Sequence, residues 1–248
     1  MLDPQATRLH PRTGRLATVP VRPGFSLIDL LVSMVVIAVL IGIMIPSLST
    51  VRESARRVVC ASNVRQIGLG VAMYVDDYDG KLPPSKFALP LGHGINAPQS
   101  MMIVRIDGLE FWDGIGQLYF AGYLDAPGVF YCPSHRGAHP LKRYANRWAD
   151  EPGEIVGNYQ LRALTSGLFV TAQSQAMLTD GLRSQADYNH RIGSNVLRTD
   201  MAVTWFADPG GRLASQLPVN ENDNSAAAAV TDAWRSIDQG IQNHRAHR

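Results

Sequence analysis

Apolar residues are spread very unevenly along this chain. Residues 25–45 read FSLIDLLVSMVVIAVLIGIMI, 21 positions of which only Asp29 is charged. A helix needs about 20 apolar residues to cross the hydrocarbon core of a bilayer, so the run predicts a transmembrane helix. A buried core helix of that length would carry a polar face, whereas Ser26, Asp29 and Ser33 all fall near the start, by residue 33. The hydrophobic region of a secretory signal is shorter, about 7–15 residues. Ser47-Leu48-Ser49 offers only a weak cleavage site, so removal by ordinary signal peptidase is the lesser reading.

Beyond Pro46 the period changes. Val51, Ala55, Val59, Ile67, Val71, Tyr74 and Tyr78 recur at three- or four-residue spacing, and Arg52, Glu53, Arg56, Arg57 and Arg65 occupy the other face. That pattern predicts an amphipathic helix with a narrow apolar stripe, stopped by Asp79-Gly80 and Pro83-Pro84. The two halves join into one helix over about residues 25–78, kinked or loosened at Pro46, where one backbone hydrogen bond is lost. Gly68 and Gly70 would let a sheet approach closely. From residue 80 onward short β-leaning segments alternate with turns. Strands are predicted over 101–106, 129–132, 168–170 and 176–178, a short helix over 116–123, and Gly108 and Gly114 flank a Phe-Trp pair. A hairpin is predicted from 195–198 and 202–206 around Thr199–Met201, although Met201 suits a left-handed turn position poorly. The polar tail opens a terminal helix at 226–229. The fold class is therefore α+β, a long N-terminal transmembrane-plus-amphipathic helix packed on a β-rich head. Its segments are a basic leader (1–24), the membrane helix (25–45), its amphipathic continuation (46–79), the head (80–220) and a polar tail (221–248).

Charge refines this picture. The net charge is +2, but Arg8, Arg12, Arg15 and Arg22 face only Asp3 in residues 1–24. Removing these four of 23 basic and one of 21 acidic residues leaves residues 25–248 near −1, which argues against a nucleic-acid partner. Basic residues flank the apolar run on both sides, so the positive-inside rule gives no orientation.

Candidate chemistry is sparse. Cys60 and Cys132 could form a disulfide if residues after 45 lie outside the cytoplasm, or stay separate thiols. VDDYDGK at 75–81 lacks the alternating acids of a calcium loop and reads as an acidic helix stop. Cys132, His135 and His139 give C-x2-H-x3-H, three potential zinc ligands without the paired-cysteine spacing of zinc sites. His190 and Asp200 could be a catalytic or metal pair, but no nucleophile motif accompanies them; a hydrogen bond pinning the hairpin is the plainer reading. Asp180-Gly181 reads as a turn. Trp112, Tyr119, Phe120 and Tyr123 read as core rather than a sugar-binding face. The resulting expectation is no catalytic residue, no metal and no cofactor.

RPGFSLIDLLVSMVVIAVLIGIMIP resembles the leader junction of type IV pilins and type II secretion pseudopilins, which place Gly, then Phe or Met, then Glu four residues on, ahead of about 20 apolar residues. Here Asp29 stands where Glu is usual. Further islands resemble the large-headed bacterial pilin-like proteins with a prepilin-type N-terminus. These are ARR, Cys60, SN-V-RQIGLG, MY, GKLPPS, FYCPS at 130–134, and His190 ten residues before Asp200, with Met201 in place of that signature's Gly. The resemblance implies cleavage by a prepilin peptidase between Gly24 and Phe25 and N-methylation of Phe25. It also implies a charge pair between Asp29 and a neighbouring subunit's Phe25 amine. The implied partners are other pilin or pseudopilin subunits, an inner-membrane assembly platform with its ATPase, and membrane lipid. The implied placement is single-pass in the inner membrane, with the N-terminus cytoplasmic and the head periplasmic or extracellular. The function expected on this basis is a non-enzymatic filament or pseudopilus subunit. The alternative is a membrane-tethered envelope enzyme or ligand-binding protein using the same anchor.

Overall fold

The computed structural model describes residues 24, 26–88, 97–108, 111–149, 151–162, 174–220, 223 and 225–246. Phe25 and the predicted strand at 168–170 lie outside the described residues, as do most of the leader and the side chain of Pro46. The fold is α+β. It divides into two compact units, Met1–Leu48 and Ser49–Arg248, and helix α1 (Leu27–Asp77) contributes to both.

In the first unit, α1 starts with a local cap. The Ser26 hydroxyl accepts the Ile28 N–H at 3.3 Å, and the Asp29 carboxylate accepts the Ser26 N–H at 3.4 Å. This reciprocal pair is a capping box, which satisfies donors that a helix start leaves open. The described side chains from Leu27 to Leu48 are exposed and almost wholly apolar. Leu27–Ile45 has mean hydropathy 2.9 and is long and apolar enough to cross a membrane; Ser47–Asp77 passes the same test, but 44% of its most apolar window is buried.

In the second unit, the rest of α1 lies on the head. Its buried stripe is Cys60, Asn63, Val64, Ile67, Val71 and Tyr74. The stripe predicted from Val51, Ala55 and Val59 is corrected, because all three are exposed, as is Tyr78. Half-buried Glu53 and Arg57 take the inward direction there instead, since the surface beneath is polar. A Cβ on Gly68 would come 2.8 Å from Leu197, so this glycine does admit the sheet, whereas Gly70 faces Leu118 and Leu124. The helix ends as its sequence predicts: Asp79 and Gly80 adopt positive φ, and the Gly80 N–H reaches back to the Val75 carbonyl at 2.9 Å.

Among the described residues, seven strands form two antiparallel sheets. β1 (Ile103–Ile106), β2 (Phe111–Trp112) and β3 (Ile155–Val156) pair in the order β2-β1-β3. β4 (Tyr159–Leu161), β5 (Ala176–Asp180), β6 (Gly193–Arg198) and β7 (Val203–Ala207) pair in sequence order. The predicted hairpin is β6–β7, and Met201 sits at its turn with φ 63°. A 3-10 turn at Pro127–Phe130 replaces the strand predicted over 129–132, because Pro127 opens a tight turn that buries Val129 and Phe130. Helix α2 (Gly116–Phe120) is the predicted short helix, and α3 (Leu141–Ala149) has no counterpart among the predicted elements. Trp112, Tyr119 and Tyr123 pack against the core, whereas Phe120 is exposed.

Two apolar clusters organise the head. The larger joins α1 to β1, β3, β4 and parts of β5 and β6. The smaller gathers around α5 (Ala226–Ala246), whose Val230, Ala233, Trp234 and Ile237 recur on one helical face. α4 (Arg212–Gln216), capped by the Asp208 carboxylate, adds Leu213 to the smaller cluster. Asp238 of α5 fastens this layer, accepting the Ala176 N–H at 2.9 Å and pairing with Arg162 at 2.6 Å.

Candidate metal centre

Four side chains from separate parts of the head converge beneath α1. Cys60 points inward from the helix, one turn from Asn63 and Val64. Cys132 follows the Pro127–Phe130 turn, Asp180 ends β5, and His190 precedes β6. All four are buried, and one ligand atom from each lies within 4.8 Å of the others. Both cysteines are free thiols.

The direct contacts are close. The Cys60 thiol donates to Asp180 Oδ1 at 3.0 Å, and His190 Nε2 lies 3.5 Å from Cys132 Sγ and 4.0 Å from Asp180 Oδ2. A surrounding shell fixes each group. Asp180 accepts the Asn195 N–H at 2.9 Å and the Asn189 side-chain amide at 3.3 Å. Cys132 Sγ accepts the Ser134 N–H at 3.4 Å, and Cys60 Sγ accepts the Tyr159 hydroxyl at 3.3 Å. His190 Nδ1 meets Glu53 Oε1 at 2.7 Å, and Glu53 also accepts the Ser134 hydroxyl at 2.9 Å. Trp205 of β7 stands edge-on to the His190 ring, with the Arg57 guanidinium 3.6 Å from a Trp205 ring centroid. Asn158 ties the cysteine loop to the sheet: its side chain accepts the Cys132 N–H and donates to the His139 carbonyl.

Electrostatics follow from this packing. Burial pushes the Cys60 thiol well above its ordinary range. The Cys60 thiol beside Cys132, helped by His190 and opposed by burial, holds Cys132 below its ordinary value. Burial alone would lower His190, but Cys132, Asp180 and Glu53 outweigh it and raise the imidazole to about 9. Burial likewise opposes ionisation of Glu53, yet its bonds to His190 and Ser134 bring it below the usual carboxylate value.

Several sequence expectations change here. The C-x2-H-x3-H motif contributes only Cys132. His135 bonds Asn189 at 2.7 Å and accepts the His139 N–H, while His139 meets the Tyr144 hydroxyl at 2.6 Å. Asp180 is a cluster member and not merely a turn residue. His190 and Asp200 take different partners: Asp200 pairs with Arg198 at 2.9 Å and accepts the Ala202 N–H in the hairpin turn. The expected role of a non-enzymatic pilin or secretion subunit is overturned by this buried Cys/Cys/Asp/His cluster, whose ligand geometry is that of catalytic or metal-binding sites. Mechanical packing of helices demands no such convergence of thiols, imidazole and carboxylate. The tethered enzyme or ligand-binding alternative accommodates it. In the leader junction, Asp29 bonds locally to Ser26, and Phe25 lies outside the described residues.

A family model described as "Protein of unknown function (DUF1559)" matches residues 49–99. That stretch carries Cys60 and Glu53 but none of the other three cluster residues. No curated protein and no solved structure matches the chain.

Proposed function

We propose that this chain is a membrane-anchored ligand-binding protein whose head takes up one thiophilic divalent cation, with zinc the best fit. The ligands are Cys60 Sγ, Cys132 Sγ, one Asp180 oxygen and His190 Nε2. The observation that carries this reading is the meeting of four buried ligand atoms, drawn from distant parts of the sequence, within 4.8 Å.

The donor set selects the metal. Two thiolates, an imidazole and a carboxylate suit zinc, whereas calcium and magnesium take oxygen ligands. Zinc–sulfur and zinc–nitrogen bonds of about 2.3 and 2.0–2.1 Å at tetrahedral angles put S and N about 3.5 Å apart; Cys132 Sγ and His190 Nε2 stand at 3.5 Å. The outer groups fit as well. A metal-bound histidine commonly gives its other ring N–H to a carboxylate, which fixes the tautomer, and Glu53 occupies that position. A hydrogen-bonded polar core without a metal would leave two thiols as weak donors and acceptors among stronger ones, an arrangement with little stability to recommend it. Four protein donors make a closed site, which holds its ion firmly.

Leu27–Ile45 would anchor the head to a membrane as a single pass, with the head outside the cytoplasm as the leader resemblance implies. The test is zinc uptake by the full-length protein in detergent, followed by competition with a chromogenic chelator. The expected result is one tightly held zinc per chain, lost in Cys132→Ser and His190→Ala variants that retain their circular dichroism spectrum. Uptake unchanged in both variants would sink the proposal.

A further inference from the structure

Cys60 and Cys132 come from α1 and from the loop after the Pro127–Phe130 turn, and their sulfurs lie within 4.8 Å as free thiols. A disulfide holds its sulfurs about 2.05 Å apart. Closing the remaining gap takes a movement of about 3 Å or less. The same pair therefore has two mutually exclusive uses: two thiolate ligands, or one covalent bond.

We propose that the centre is also a thiol-oxidation site, at which a peroxide converts the metal-holding pair into a Cys60–Cys132 disulfide and releases the cation. This rests on the metal-binding reading above. In the first step Cys132 Sγ attacks one oxygen of hydrogen peroxide. The O–O bond breaks, Cys132 becomes a sulfenic acid, and the departing hydroxide takes up a proton to leave as water. In the second step Cys60 Sγ attacks the Cys132 sulfur. The S–OH bond breaks, and the hydroxide leaves as a second water with the Cys60 proton, or with a solvent proton if Cys60 was metal-bound. Two electrons pass from the two sulfurs to the peroxide.

The surroundings give the two sulfurs different parts. Cys132 Sγ receives the Ser134 N–H at 3.4 Å and faces His190 at 3.5 Å, partners that stabilise negative charge on the attacking sulfur. Cys60 Sγ instead lies between Asp180 Oδ1 at 3.0 Å and the Tyr159 hydroxyl at 3.3 Å, which places it as the resolving thiol. Glu53, which bonds His190, has a side chain 35% exposed, so this side of the centre is within reach of solvent and of a small oxidant. After oxidation only Asp180 and His190 remain to hold the ion, too few for a tetrahedral zinc site. The new bond would tie α1 covalently to the cysteine loop.

The experiment uses full-length protein loaded with zinc in detergent and treated with hydrogen peroxide. Free zinc is read with a chromogenic chelator, and cross-linked peptides are read by mass spectrometry without reduction. The expected result is zinc release in step with a Cys60–Cys132 peptide, reversed by dithiothreitol, after which zinc reloads. In Cys60→Ser the cross-link should be absent and the Cys132 sulfenic acid should react with a sulfenic-specific probe. Zinc release without that peptide, or zinc retained through a peroxide excess, overturns the oxidation proposal while the metal reading stands. Failure of the untreated protein to take up zinc overturns both.

Discussion

Glu53 has a role that its place in the sequence does not announce. It lies on what the apolar spacing marks as the solvent face, yet its carboxylate accepts from both His190 Nδ1 and the Ser134 hydroxyl. Outer-shell carboxylates of this kind typically contribute 10–100-fold to metal affinity. Glu53→Gln keeps an acceptor oxygen and removes the charge, so zinc affinity, read by chelator competition, should fall about tenfold while the fold is kept. Asp113 supplies a second residue-level test, away from the centre. It is buried and accepts the Ser85 hydroxyl at 2.6 Å and the Lys86 N–H at 2.7 Å, but burial dominates and raises its pKa to about 6. An acid with a raised folded pKa stabilises the fold below its unfolded pKa of about 3.9 and loses that contribution as pH rises through about 6. Asp113→Asn should therefore gain stability over the parent as pH rises from 4 to 7, by about 2–3 kcal/mol, as read by denaturant unfolding. The introduced amide can donate to the Ser85 hydroxyl and accept from the Lys86 N–H, which keeps the local bonds. An advantage that is flat with pH would contradict this account.

At the scale of elements, local signals are legible and long-range ones are not. The apolar run, the Asp79-Gly80 stop, the β6–β7 hairpin and the short helix α2 each follow from spacing and turn residues within one continuous stretch of chain. The capping box is readable in principle from Ser26 and Asp29, three residues apart. α3 gives little signal because it buries only Tyr144 and Trp148, one turn apart, in an otherwise polar stretch. The 3-10 turn at Pro127 displaces a strand because an apolar run of four residues does not distinguish the two. The buried Cys/Cys/Asp/His cluster is least legible of all. Cys132 and His190 stand out singly, but only sheet pairing and the α1 docking surface bring Cys60 and Asp180 to them, and no spacing rule encodes that. Close packing between elements gives a direct test. A Cβ on Gly116 would meet the Val104 carbonyl oxygen at 1.9 Å, so α2 and β1 approach as only glycine permits. Gly116→Ala should destabilise the head by about 1–3 kcal/mol. Gly128→Ala, where a Cβ meets nothing within 4 Å, should stay within about 0.5 kcal/mol. Urea unfolding of the two variants reads the difference, and equal effects would refute the packing argument.

At the scale of the whole molecule, the chain combines an exposed apolar helical segment with a head that gathers four potential metal ligands in its interior. The architecture anticipated from the sequence, a long N-terminal helix with a β-rich α+β head, is the one found. The role inferred from its N-terminal resemblance is not, because anchoring and function reside in different segments: Leu27–Ile45 describes how a protein is held, and the residues at 60, 132, 180 and 190 describe what the head can do. X-ray absorption at the zinc edge of the zinc-loaded, full-length protein reads the ligand set itself. The expected spectrum is one zinc bound by two sulfurs at about 2.3 Å and two nitrogen or oxygen atoms at about 2.0–2.2 Å. A first shell without sulfur would contradict it.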